Sequence, residues 1–138
     1  MIKLLELTPK ILKNKSLSDK DFVLIAKEML NAYGVGDVKI KVSTRKNYKN
    51  LAEYHYENKS VIIYPSTLKN INKFLLTMLH EILHMLDHKK LKDKFITQYE
   101  DELSKADTAG TGYYGNSFEA RAEAFAKKEV QKWIKKYL

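Results

Sequence analysis

The sequence predicts an α+β domain, and three observations carry that prediction. Apolar residues recur at a helical period over 18–33, switch to a period of two near residue 38, and return to a helical period from about residue 71 onward. The order is therefore one helix, three strands and three helices, with strands and helices segregated rather than alternating. A chain of 138 residues, 44% of them hydrophobic, is expected to form one domain, 1–138, around a sizeable core.

Residues 1–15 leave a strand or a short helix around Pro9 open. The first clear helix is expected over 18–33. Ser18 suits its N-cap, and Asp19 and Asp21 suit the positive end of its dipole. Phe22, Ile25, Ala26, Met29 and Leu30 form its apolar stripe, and Gly34 stops it. In VKIKVST, Val38, Ile40 and Val42 alternate with Lys39 and Lys41, the pattern of a half-buried strand. AEYHYE (52–57) and SVIIYP (60–65) flank Asn58 and Lys59 and read as a hairpin, so a three-stranded antiparallel sheet is expected.

The remaining helices are expected over 71–89, 91–104 and 117–137. Leu91, Phe95, Ile96, Tyr99 and Leu103 share one side of the second. Ala122, Phe125, Ala126, Val130, Trp133, Ile134 and Tyr137 face inward on the last. The glycine-rich stretch ADTAGTGYYGNS between them reads as a loop.

Composition removes several function classes. The chain has no cysteine, so thiolate metal sites, disulfides and cysteine nucleophiles are excluded, and any metal must be held by imidazole and carboxylate. The N-terminus lacks the apolar stretch of a secretory signal and no run reaches membrane-spanning length, so a cytoplasmic protein without a membrane partner is expected. The net charge is +8, but only Arg45 and Arg121 are arginines and the lysines run from end to end. That spread favours a solvated surface over a nucleic-acid footprint, which is usually a cluster or stripe.

Chemistry concentrates in HEILHMLDH (80–88). On a helical wheel, Thr77, His80, Glu81, His84, Asp87 and His88 fall within one arc of about 120°, and Phe74, Met78, Ile82, Met85 and a run of leucines fill the rest. His80 and His84 lie one turn apart and can converge on one ion. Glu81 sits beside them as a base for a metal-activated water, which is the physical content of HExxH. The ordinary alternative is a buried helix with a solvated polar edge.

Two histidines leave a catalytic zinc short of a third protein ligand. A histidine six residues past His84 is excluded, because that position is Lys90. His88 lies a further turn along, about 6 Å from His84, too far for a straight helix to close onto the same ion. Glu119 and Glu123 in FEARAEAFA (118–126) are four apart on one face of the last helix. A glutamate just after Asn116 or Ser117 is also what ordinary capping favours, so Glu119 carries both readings.

HEILHMLD followed by EARAEAF resembles the gluzincin metallopeptidases, which join HExxH to a downstream glutamate on a second helix. ImmA/IrrE-type peptidases carry an ExxA-N-x-FA segment, whose asparagine position is Glu123 here. The anthrax lethal factor catalytic domain and its relatives carry HExxHxxD and ExxAEAF, and this chain matches both strings. The resemblance covers mainly residues 74–126. It implies a zincin-like fold and an endopeptidase acting on a peptide or protein substrate. It also implies zinc on His80, His84 and Glu119, with Glu81 as general base. Asp87 and Glu123 would orient the ligating histidines, since a ligand imidazole usually donates its other N–H to an acceptor. A tyrosine near the metal is also implied, and Tyr114 or Tyr113 occupies the corresponding loop. The competing expectation is a zinc-bearing, proteolytically inactive interaction or nucleic-acid-associated module, motivated by the +8 charge. Glu81 argues against it, because a structural site needs no base beside its ligands.

Overall fold

A computed structural model of the chain describes residues 17–46, 50–109 and 116–137, and the expectation for residues 1–15 lies outside them. Helix α1 spans Asp19–Ala32. Ser18 Oγ accepts from the Asp21 N–H and Asp21 returns the bond to the Ser18 N–H, a complete capping box. Its buried residues are the expected stripe of Phe22, Ile25, Ala26, Met29 and Leu30. Gly34 follows the helix at φ +75, a left-handed turn that glycine adopts without strain.

Three strands follow: β1 (Lys39–Val42), β2 (Ala52–His55) and β3 (Ser60–Ile63). The sheet is mixed rather than antiparallel. Its order is β1-β3-β2, with β1 parallel and β2 antiparallel to β3. The physical reason lies in the strands themselves. Val61, Ile62 and Ile63 form the one continuous apolar run, which suits the centre of a sheet covered on both faces. Alternating Lys39 and Lys41 suit an edge, where charge discourages further pairing. The 52–65 hairpin forms as expected, but β3 slots between β2 and β1, and residues 43–59 make the crossover that a parallel pair requires.

A short 3₁₀ turn (Pro65–Thr67) leads to α2 (Ile71–Leu91), whose N-terminus is capped by Asn70 Oδ1 accepting from Lys73 N–H at 3.1 Å. α2 runs two residues past the expected end and breaks at Lys92, which takes φ +54. α3 (Asp93–Ala109) starts two residues later than expected and continues beyond Ser104. α4 (Ser117–Tyr137) closes the fold.

α2 and α4 share the most extensive packing between any two elements. The core lies between α1, the sheet, α2 and α4, with Phe22 and Phe74 edge to face at 4.8 Å. Two expectations about burial change here. Leu76, placed among the buried leucines of α2, is 37% exposed. Among the described side chains of α3 only Phe95 is buried, because that helix turns its apolar side toward a cleft rather than into the core.

Candidate metal centre

The site is assembled by the crossing of α2 and α4. Asn116 fixes the start of α4: its Oδ1 accepts from the N–H of Phe118 at 2.9 Å and of Glu119 at 3.4 Å, while its Nδ2 donates to the Tyr99 carbonyl on α3. This fully buried side chain ties two helices together and sets the position of Glu119 in the first turn of α4.

Glu119 reaches across to the polar arc of α2. Its Oε1 lies 3.3 Å from His80 Nε2 and in direct hydrogen-bond contact with His84 Nε2. The ligand atoms of His80, His84 and Glu119 all fall within 4.8 Å of one another. Two ligands at ordinary zinc bond lengths and tetrahedral angles are separated by about 3.3 Å, so the His80–Glu119 spacing and the donor set of two nitrogens and one oxygen suit such an ion, while Glu119 and His84 sit closer than two of its ligands would. Among the described residues His84 Nδ1 is buried without a hydrogen-bond partner, so a ligand role for Nε2 leaves its second nitrogen without the usual acceptor there.

Electrostatics reinforce the cluster. Burial would raise the Glu119 carboxyl, but bonds from both imidazoles outweigh it and hold the carboxyl far below its usual range. Burial would lower His84, and the facing carboxylates of Glu119, Glu81 and Asp87 reverse that and raise it. Glu81 is pushed upward by burial foremost, against the pull of His84 and His80. Its Oε2 accepts the backbone N–H of Tyr54 on β2 at 3.1 Å, which fixes the carboxyl beside the two histidines.

The other residues singled out from the sequence fall elsewhere. His88 Nδ1 pairs with the Tyr54 hydroxyl at 2.8 Å and is not part of the cluster. Asp87 takes two hydrogen bonds from Arg121, at 3.2 and 3.0 Å, and Glu123 lies 3.3 Å from Lys127 Nζ. Neither carboxylate hydrogen-bonds a histidine of the cluster among the described residues. Tyr113 and Tyr114 lie outside the described residues.

One residue that sequence reasoning passed over is Tyr99. Its ring stands edge-on to that of His84, 6.0 Å between centroids, and its phenol is held neutral by burial and by the neighbouring Glu119 and Glu81 carboxylates. The only signal in the sequence was a phenol on the otherwise apolar side of α3. The site opens into a cleft of about 880 Å³, with β2 along one wall and Phe95, Ile96, Tyr99 and Leu103 of α3 on the other. Among the described residues, no helix is long and apolar enough to cross a membrane. No protein-family model, curated protein or solved structure matches the chain.

Proposed function

We propose that the chain is a zinc-dependent endopeptidase of the gluzincin type with a zincin-like fold. The observation that carries this reading is the convergence of His80, His84 and Glu119 on one point, with the Glu81 carboxyl anchored beside them at the foot of an open cleft. His80, His84 and Glu119 would hold the zinc, which when bound supplies Lewis acidity to a water and to the scissile carbonyl.

Glu81 takes the proton of the attacking water and returns it to the leaving amine. Its burial suits this, because a carboxyl raised above its ordinary value gives up and takes protons nearer neutral pH. The Tyr54 N–H keeps the carboxyl from turning away. Tyr99 offers a neutral phenolic donor facing the same point, a candidate for stabilising the oxyanion alongside Tyr113 or Tyr114.

The substrate strand is expected on β2. SVIIYP, the segment immediately before the active helix, is central in the sheet and has no free edge. β2 does. The Leu51 carbonyl accepts the Tyr64 N–H, so the ladder leaves the backbone groups of Ala52 and Tyr54 pointing outward. The Tyr54 N–H is taken by Glu81, and the others face the cleft for an extended peptide to pair with.

Elemental analysis of purified protein tests the reading. About one zinc per chain is expected in the wild type and in Glu81→Gln, and reduced zinc in Glu119→Ala. Full metal retention in Glu119→Ala would sink the ligand assignment.

A further inference from the structure

The cleft and the rest of the surface carry opposite charge. The chain has 25 lysines and arginines against 17 aspartates and glutamates. Yet the carboxylates of Glu53, Glu57, Glu100 and Glu123 line the cleft in addition to the two glutamates at its foot, and Lys127 is the one lysine or arginine there among the described residues. Lys127 is already matched to Glu123. Glu53, Glu57 and Glu100 are left without a lysine or arginine partner among the described residues.

These three are not scattered. Glu53 is held on β2 by hydrogen bonds from Asn50 Nδ2 and the Tyr64 hydroxyl, with His55 3.5 Å away. Those bonds outweigh its partial burial and keep it ionised. Glu57 follows Tyr56 in the turn after β2, and Glu100 lines the same cleft from α3. Burial foremost and then the Glu57 and Glu100 charges push the Tyr56 hydroxyl upward. Phe95 stands edge-on to Tyr56 at 6.5 Å. Aromatic rings and carboxylates lining one cleft suit a lysine or arginine side chain, which can lay its stem on a ring and bring its charge to the acids.

We propose that the cleft selects an extended peptide rich in lysine or arginine, laid along the β2 edge with a basic side chain at the Tyr56–Glu57–Glu100 corner. This deepens the peptidase reading, on which it rests, by naming the substrate class. The surplus of positive charge elsewhere does not oppose such a peptide at close range. At physiological salt the Debye length is about 8 Å, so the carboxylates lining the cleft dominate what a bound strand feels. Acidic peptides, by contrast, would meet like charge along the whole wall.

The test separates docking from catalysis. Zinc-loaded Glu81→Gln protein is titrated into three fluorescein-labelled peptides of alternating valine and a second residue, which is lysine, glutamine or glutamate. Anisotropy should show the lysine peptide binding about tenfold or more tighter than the glutamine one, with the glutamate peptide weakest and the preference shrinking as salt rises. Adding Glu57→Gln and Glu100→Gln, both at exposed positions, should bring the lysine peptide down to the glutamine peptide's affinity and leave the latter unchanged. Adding Glu57→Lys and Glu100→Lys instead should invert the order. Equal affinity for lysine and glutamine peptides, or no binding of any, overturns the proposal. Wild-type hydrolysis of the same peptides is read separately. A lysine preference in binding with no cleavage would overturn the peptidase reading and leave this docking surface standing. Cleavage without that preference would do the reverse.

Discussion

Helix α4 buries two glutamates ten residues apart, and they have opposite fates. Glu129, 8% exposed, accepts hydrogen bonds from the Tyr33 hydroxyl at 3.0 Å and Lys132 Nζ at 3.2 Å, and Tyr33 in turn accepts from the Trp133 indole at 2.9 Å. Those bonds hold the Glu129 carboxyl below its usual range despite its burial, so acceptor and donors match and the cluster is closed. Glu119, 6% exposed, faces two imidazole nitrogens. With each neutral ring carrying its proton on Nδ1, the tautomer that a ligating Nε2 requires, three acceptors point at one another. Such an arrangement is costly unless a cation completes it. A buried carboxylate is therefore no signal by itself. The chemistry of what faces it separates a structural lock from a candidate metal centre.

The largest expected effect that sharpens this comparison is on turnover. Glu81→Gln should lower peptide hydrolysis by at least about 10²-fold through loss of the base. Its zinc content should stay near one by elemental analysis, because Glu81 is outside the ligand set. Next comes the pair Glu119→Ala and Glu129→Ala. The first should lose zinc, while the second should keep it and lower Tm, and zinc loss in both would erase the distinction drawn above. Tyr99→Phe should reduce kcat by about a hundredfold if its phenol serves the oxyanion, with KM little changed. An unaltered kcat would return that role to Tyr113 or Tyr114.

Smaller effects belong to the closed cluster. Tyr33→Phe leaves Glu129 and the Trp133 indole each short of a partner, and should cost about 1–3 kcal/mol in urea denaturation with zinc unaffected. Burial, opposed by the Trp133 bond and assisted by Glu129, pushes the Tyr33 phenol up to about 12 from 10.0. The unfolded chain therefore gives up this proton first. The stability held by Tyr33 should be complete below pH 10 and lost as pH rises toward 12, a decline that Tyr33→Phe should shrink.

The local elements were legible because each is fixed by nearby residues. The Ser18–Asp21 box and the five-residue stripe of α1 came from spacing alone, as did the hairpin around Asn58 and Lys59 and the single polar arc of α2. What failed was local in another sense. The break at Lys92 has no glycine or proline to announce it, and α3 runs on through residues whose composition reads as loop. Leu103 and Ile96 carry an apolar pattern that looks the same whether it faces a core or a cleft.

By itself the sequence determined which side-chain donors a metal could find in this chain. With no cysteine and with His80, Glu81 and His84 on one arc of a helix, the spacing is set by 3.6 residues per turn and by nothing farther away. Tertiary structure decided everything that depends on distant packing. It put β3 rather than β2 in the middle of the sheet, and gave the Glu81 carboxyl to the backbone of Tyr54. It also brought Glu119, not Glu123 or Glu129, to the histidines. All three glutamates lie on the same helix, and only the crossing of α4 over α2, pinned by Asn116, selects among them.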